Sequence, residues 1–131
     1  MRTKAFVETA KSILEDTDLT DTCEEVSEAF VIGFGELGCH TVIVRGDFIS
    51  HENGGGHCWM EVEGVPIDFT VSQFGSYENG ILSEKFYNEH YRKIEAVPSS
   101  ELTVIEDEDE ALLCDWALPY ALLQQFRSKT Q

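Results

Sequence analysis

The sequence predicts an α+β fold: a helix packed on a small antiparallel β-sheet. Two segments near the start of the chain, about residues 3–16 and from Thr22 onward, carry apolar residues at helical spacing. The middle, from His40 to Thr70, alternates or runs apolar in short stretches rich in β-branched residues. From about Glu108 the helical spacing returns.

In the first helix Phe6, Val7, Ala10, Ile13 and Leu14 form the apolar stripe. The mostly polar segment Asp18–Thr22 separates it from the second helix, EEVSEAFVIGFGELG, whose stripe is Val26, Ala29, Phe30 and Gly33. Thr22 followed three positions later by Glu25 matches a capping box, which puts Cys23 in the first turn. Gly35 and Gly38 mark the end of this helix. His40–Arg45 reads as a strand. Residues 46–56, ending in Gly54-Gly55-Gly56, read as a loop that either opens over a site or simply connects. His57–Glu63 and Val65–Thr70 are two strands joined at Glu63-Gly64. SEKFYNEHY suggests a short helix, Arg92–Val97 another strand, and Pro98-Ser99-Ser100 a turn. In the last helix Leu112, Trp116, Tyr120 and Leu123 recur at near-helical spacing, and Pro119 should kink or split it. The acidic run Glu106–Glu110 suits a solvated loop or a helix N-terminus.

A chain of 131 residues without repeats or a Pro/Ser-rich linker is expected to form one domain over 1–131. A hydrophobic content of 42% is that of a folded protein. No apolar run approaches the roughly 18 residues that span a bilayer. Acidic residues interrupt any signal-peptide core, so a cytoplasmic protein is expected, with its four cysteines as thiols. A net charge of −16 disfavours nucleic acid and anionic membranes and favours a basic partner or substrate. The cysteines lack a CxxC spacing. Cys39-His40 and His57-Cys58, with His51 between them, offer metal-ligand types. Adjacent strand residues point to opposite faces, however, so neither a metal nor another cofactor is expected. The glycines lack phosphate-loop spacing.

The predicted hairpin carries the functional reading. A two-residue turn at Glu63-Gly64 pairs Val62 with Val65, Met60 with Ile67 and Cys58 with Phe69 on one apolar face. Cys58 is then a core residue, as Cys114 is expected to be. The opposite face holds Trp59, Thr70, and His57 diagonal to Asp68. Diagonal cross-strand neighbours lie about 7–8 Å apart, within reach of a carboxylate–imidazole hydrogen bond. Such a carboxylate fixes the imidazole tautomer, leaving the other nitrogen to take a proton from a nucleophile. Cys23, at a helix N-terminus, is the natural nucleophile, because the dipole and the unpaired N–H groups lower a thiol pKa. Those N–H groups can also hold an oxyanion. Glu24 and Glu25 act against this, since nearby negative charge raises a thiol pKa.

A cysteine opening a helix in DTCEEVSEAF, a His-x-Trp in HCWMEVEG and an aspartate in VPIDFTVSQF resemble the transglutaminase-like branch of the papain-like cysteine enzymes. The resemblance covers roughly residues 20–75. It implies a papain-like or transglutaminase-core fold, with Cys23 as nucleophile, His57 as general base and acid, and Asp68 as the orienting residue. Trp59 would flank the site, as packing or as a substrate wall, and Gln73 would offer a polar group to the substrate. The family includes peptidases, transglutaminases, deamidases and acyltransferases, so the implied chemistry is acyl transfer on a protein or peptide. Two other readings compete with it. One is a non-catalytic acidic binder that sequesters a basic partner, as a nucleic-acid mimic would; the other is a catalytically degenerate member of the fold.

Overall fold

The computed structural model describes residues 2–50 and 54–131. Among them are five α-helices and a five-stranded antiparallel sheet. The helices are α1 (Arg2–Leu14), α2 (Cys23–Glu36), α3 (Glu84–His90), α4 (Glu108–Leu113) and α5 (Ala117–Thr130). The strands are β1 (Thr41–Phe48), β2 (Gly55–Val62), β3 (Val65–Asp68), β4 (Gly80–Ile81) and β5 (Tyr91–Pro98), in the order β4-β3-β2-β1-β5. None of the described helices is long and apolar enough to cross a membrane. His51, one of the metal-ligand types in the sequence, lies outside the described residues.

Helix α2 is buried on nearly every side, as expected of a helix whose apolar residues are not confined to one stripe. Phe30 and Phe34 face Ile43, Met60, Val62 and Ile67 of the sheet, together with Val7 and Ala10 of α1 and Leu122 and Phe126 of α5. On another side Ile32 meets Ala111, Trp116 and Leu123. Gly33 makes the approach of α5 possible, since a Cβ there would lie 2.6 Å from the Phe126 ring. The helix ends in a Schellman motif: Cys39 N–H donates to Phe34 O (3.1 Å), Gly38 N–H to Gly35 O (3.0 Å), and Gly38 has φ +90°.

The β2–β3 hairpin has the predicted register, Val62 opposite Val65 and Met60 opposite Ile67. Glu63 (φ 51°) and Gly64 (φ 79°) are both left-handed, as a two-residue type I′ turn requires. The uncommon conformation of Glu63 is held in place by His40. Glu63 N–H donates to His40 O at 2.8 Å, and His40 N–H donates to Glu63 Oε1 at 2.7 Å. The predicted Cys58–Phe69 pair is absent from the ladder, which stops at Met60–Ile67. Asp68 ends the strand because its Oδ1 accepts from the Thr70 N–H at 2.9 Å, an Asx-type turn.

The second face of the sheet is also covered, which the alternation of β2 did not predict. Val44, Phe48, Trp59 and Tyr91 pack there with Val71, Leu82, Phe74, Tyr77, Phe86 and Tyr87, all supplied by residues 71–91 and β1–β2. The C-terminal helical stretch is split, as Pro119 predicts, but upstream of the proline. Asp115 (φ 54°) lies in the break, and Pro119 is the third residue of α5, where a missing N–H costs no helical bond. The acidic run forms the first turn of α4, capped by Asp107, which accepts from the Glu110 N–H at 3.0 Å. Cys114, expected in the core, is exposed, because the split turns it away from α2.

Gly46 stands opposite His57 in the β1–β2 register, at the point where β1 shifts register against β5. A Cβ there would press on the Arg92 carbonyl and lie 2.9 Å from the Trp59 ring. Gly46→Ala is therefore expected to destabilise the fold by about 1–3 kcal/mol through overpacking. A lower urea midpoint with an unchanged slope would show it.

Candidate active site

Three elements deliver the three predicted residues: Cys23 is the first residue of α2, His57 lies on β2, and Asp68 ends β3. His57 Nε2 and Asp68 Oδ2 are 2.6 Å apart. The pair is buried, with His57 4% and Asp68 1% exposed. A buried carboxylate is costly unless donors surround it, and Asp68 has four. The Tyr91 hydroxyl donates to Oδ2 at 2.6 Å, and the Thr70 N–H and hydroxyl donate to Oδ1 at 2.9 and 3.2 Å. Burial, then the neighbouring Asp68 charge, pushes the Tyr91 phenol upward, so it remains a donor.

An aromatic shell encloses the imidazole. Phe74 meets His57 edge-on at 4.8 Å between ring centroids, and Trp59 stacks at 6.0 Å. Phe48 and Tyr91 complete the enclosure, and Phe48 itself stacks on Phe74 at 4.5 Å. Trp59 is only 1% exposed, and its indole N–H donates to the Tyr87 hydroxyl at 3.1 Å. It has almost no surface to offer a substrate and acts as packing. Gln73 is exposed, and its Nε2 lies 3.4 Å from His57 Nδ1 and 3.5 Å from Thr70 Oγ1. With Nε2 engaged by Asp68, Nδ1 is the nitrogen left for Cys23.

The expected capping box does not form. The Thr22 hydroxyl donates to Leu19 O at 2.9 Å instead, and its side chain makes no cap bond to the first turn of α2. Cys23 nonetheless has the predicted first-turn position. Its thiol is lowered to about 5, foremost by a hydrogen bond from the Cys58 thiol. Burial opposes the shift, while the hydrogen bond and charge of His57 and the Cys58 backbone N–H reinforce it. Burial alone would lower the pKa of His57, but its bonds to Asp68 and Cys23 outweigh that and raise it to about 9. The negative charge next to Cys23 is offset, since Glu24 pairs with Arg45 at 3.0 Å. Cys58, expected as a core residue, is half-buried and belongs to the site.

Reading the sequence missed Tyr91 and Thr70 as well as Cys58. Thr70 had a signal, because a threonine two residues after an aspartate is an Asx-turn pattern. Tyr91 had none, since it reaches Asp68 only because β5 pairs with β1. A separate cavity of about 520 Å³, lined by Lys11, Leu14, Leu19, Phe69 and Asn79 among others, touches none of the three predicted residues. Among the described residues, no three His, Cys, Asp or Glu side chains gather as a metal site. Compared with models of protein families, with curated proteins and with solved structures, the chain matches none.

Asp68→Asn turns an acceptor into a group whose N–H₂ meets other donors. It is expected to cost about 3–5 kcal/mol, as breaking a buried pair does. It should also bring the His57 pKa down from about 9. The elevated His57 pKa contributes stability that is complete below its unfolded value of about 6.5 and is lost as pH rises through about 9. The charge-dependent part of the stability gap between wild type and variant should shrink over that interval. Urea titrations across pH and histidine-selective NMR would measure both effects.

Proposed function

We propose that the protein is a cysteine-dependent acyl-transfer enzyme that hydrolyses a peptide or side-chain amide, in the manner of transglutaminase-like cysteine enzymes. The observation that carries this reading is the buried His57–Asp68 pair, bonded through Nε2, with a thiol at the start of a buried helix whose pKa the same imidazole helps to lower. Thiolate, base and orienting carboxylate are the groups that a covalent acyl mechanism needs.

In this mechanism the Cys23 thiolate attacks the amide carbonyl. N–H groups of the first turn of α2 receive the developing oxyanion. The His57 imidazolium gives its proton to the leaving amine as the C–N bond breaks, leaving a thioester on Cys23. Neutral His57 then takes a proton from water, or from an acceptor amine, as that attacks the thioester. Asp68 holds the ring throughout, and Gln73, exposed beside Nδ1, faces the incoming substrate. Arg45, Arg92, Lys93 and Arg127 are each paired with carboxylates, so acidic charge dominates the surface and favours a basic substrate.

Iodoacetamide alkylation followed by mass spectrometry tests the reading, with exposed Cys114 as an internal reference. Cys23 should alkylate with a midpoint near pH 5, against the roughly 8.5 of an ordinary thiol. His57→Ala should move that midpoint upward. Acyl transfer needs thiolate, which appears as pH rises through about 5, and imidazolium, which is lost as pH rises through about 9. Its rate should therefore be bell-shaped between those limbs. A Cys23 that reacts no faster than Cys114 and ignores the His57 substitution would sink the proposal.

A further inference from the structure

The first residue of β5 is anchored on both sides. Tyr91 stands opposite Phe48 in the β1–β5 register. The next residues out lock that pairing: Ile49 N–H donates to His90 O at 2.6 Å, and His90 Nδ1 donates to Ile49 O at 2.8 Å. The Tyr91 ring meets Trp59 edge-on at 4.8 Å and Phe48 edge-on at 5.2 Å, and it tilts against Tyr87 at 5.2 Å. Buried and walled in this way, it carries its hydroxyl inward to Asp68 Oδ2.

Tyr91 and His57 therefore meet the same atom. Oδ2 lies 2.6 Å from the Tyr91 hydroxyl and 2.6 Å from His57 Nε2, while Oδ1 takes both bonds from Thr70. A carboxylate oxygen offers about two acceptor positions, so both oxygens of Asp68 are filled. We propose that Tyr91 is a positioning residue for the His57–Asp68 pair: by sharing Oδ2 with the imidazole, it limits how firmly the carboxylate holds the ring proton. A ring that holds its proton less firmly gives it up more readily to a leaving group. This rests on His57 being the acid and base argued above, but not on the identity of any acyl substrate.

The sign follows from the geometry. Hydrogen bonds in a chain strengthen one another, but two donors on one oxygen divide the same negative charge. The positive end of the phenol O–H dipole also points at the oxygen that faces the ring, which disfavours the imidazolium. Burial and the Asp68 charge keep the phenol proton in place, so the hydroxyl donates throughout. The other titratable and polar groups around the pair stay where they are when the hydroxyl is removed. Cys23 faces His57 from α2, Gln73 reaches Nδ1, and Thr70 holds Oδ1. Tyr87, bonded to Glu61, stands behind Trp59, and Tyr77 and His90 pack on Phe48. Without the hydroxyl, Asp68 keeps three of its four bonds, and Oδ2 turns its charge on Nε2 alone.

Histidine-selective NMR titration of the full chain tests this without a substrate, with the His57 signal identified by its loss in His57→Ala. In Tyr91→Phe the His57 midpoint should rise above the wild-type value of about 9 by about half a unit, roughly a threefold tighter hold on the proton. Replacing Tyr91 with a fluorotyrosine, fluorinated ortho to the hydroxyl, makes a stronger donor of nearly the same shape and should move the midpoint down. If Tyr91→Phe does not fold, the fluorotyrosine protein decides alone. A purely structural tyrosine would lower the urea midpoint in Tyr91→Phe and leave the His57 midpoint in place; that result, or a fall in Tyr91→Phe, would overturn the inference. Iodoacetamide alkylation of the same samples separates the two claims. A Cys23 that alkylates with a midpoint near pH 5, beside an unmoved His57, overturns this inference and leaves the nucleophile intact. A Cys23 that is slow and ignores His57→Ala overturns the inference together with the function it rests on.

Discussion

A carboxylate that is 1% exposed must find its donors inside the protein, and the arrangement of the second sheet face follows from how Asp68 finds them. Its four hydrogen bonds come from β2 through His57, from β5 through Tyr91, and from its own turn through Thr70. Those bonds tie the start of β5 to the end of β3 across two intervening strands. The segment between β3 and β5 then covers the pair, contributing Phe74 to the imidazole and Leu82 and Phe86 to the aromatic cluster. Covering the pair removes water, which strengthens each charge-assisted bond and raises the penalty for losing any one of them.

The first core does a different job, holding the thiol still. A helix enclosed by α1, α5, α4 and the sheet has no free side along which to shift, and Gly33 and the Schellman motif fix its neighbours and its far end. Its first residue is therefore held at a defined place beside β2. The acidic composition would oppose a thiolate at that position, but Arg45 on β1 takes up Glu24. Helix-favouring glutamates in the first turn and a low thiol pKa are compatible for that reason.

Cys58 shows how closely packing and chemistry are coupled here. Alternation along β2 sends His57 to one face and Cys58 to the other, yet both act to lower the Cys23 thiol. The β2–β3 ladder stops at Met60–Ile67, and the residues at issue lie beyond that point. Had the ladder continued, Cys58 would have faced Phe69 as an ordinary core thiol.

Much of the fold and the central part of the site were legible in the sequence, because they depend on periodicity and turn chemistry, which are local. The register that brings His57 to Asp68 follows from a two-residue turn and the alternation of Val62, Met60, Val65 and Ile67. The place of Cys23 follows from where the helical spacing begins, even though the capping box that suggested it does not form. Tertiary structure alone decided that the second face is buried, that Trp59 packs rather than meets solvent, and that Cys58 joins the site while Cys114 is exposed. It also decided that a tyrosine 23 residues after Asp68 would be its donor. These outcomes depend on which strand lies beside which and where a ladder ends. Contacts between distant segments of the chain set both, and no local pattern encodes them.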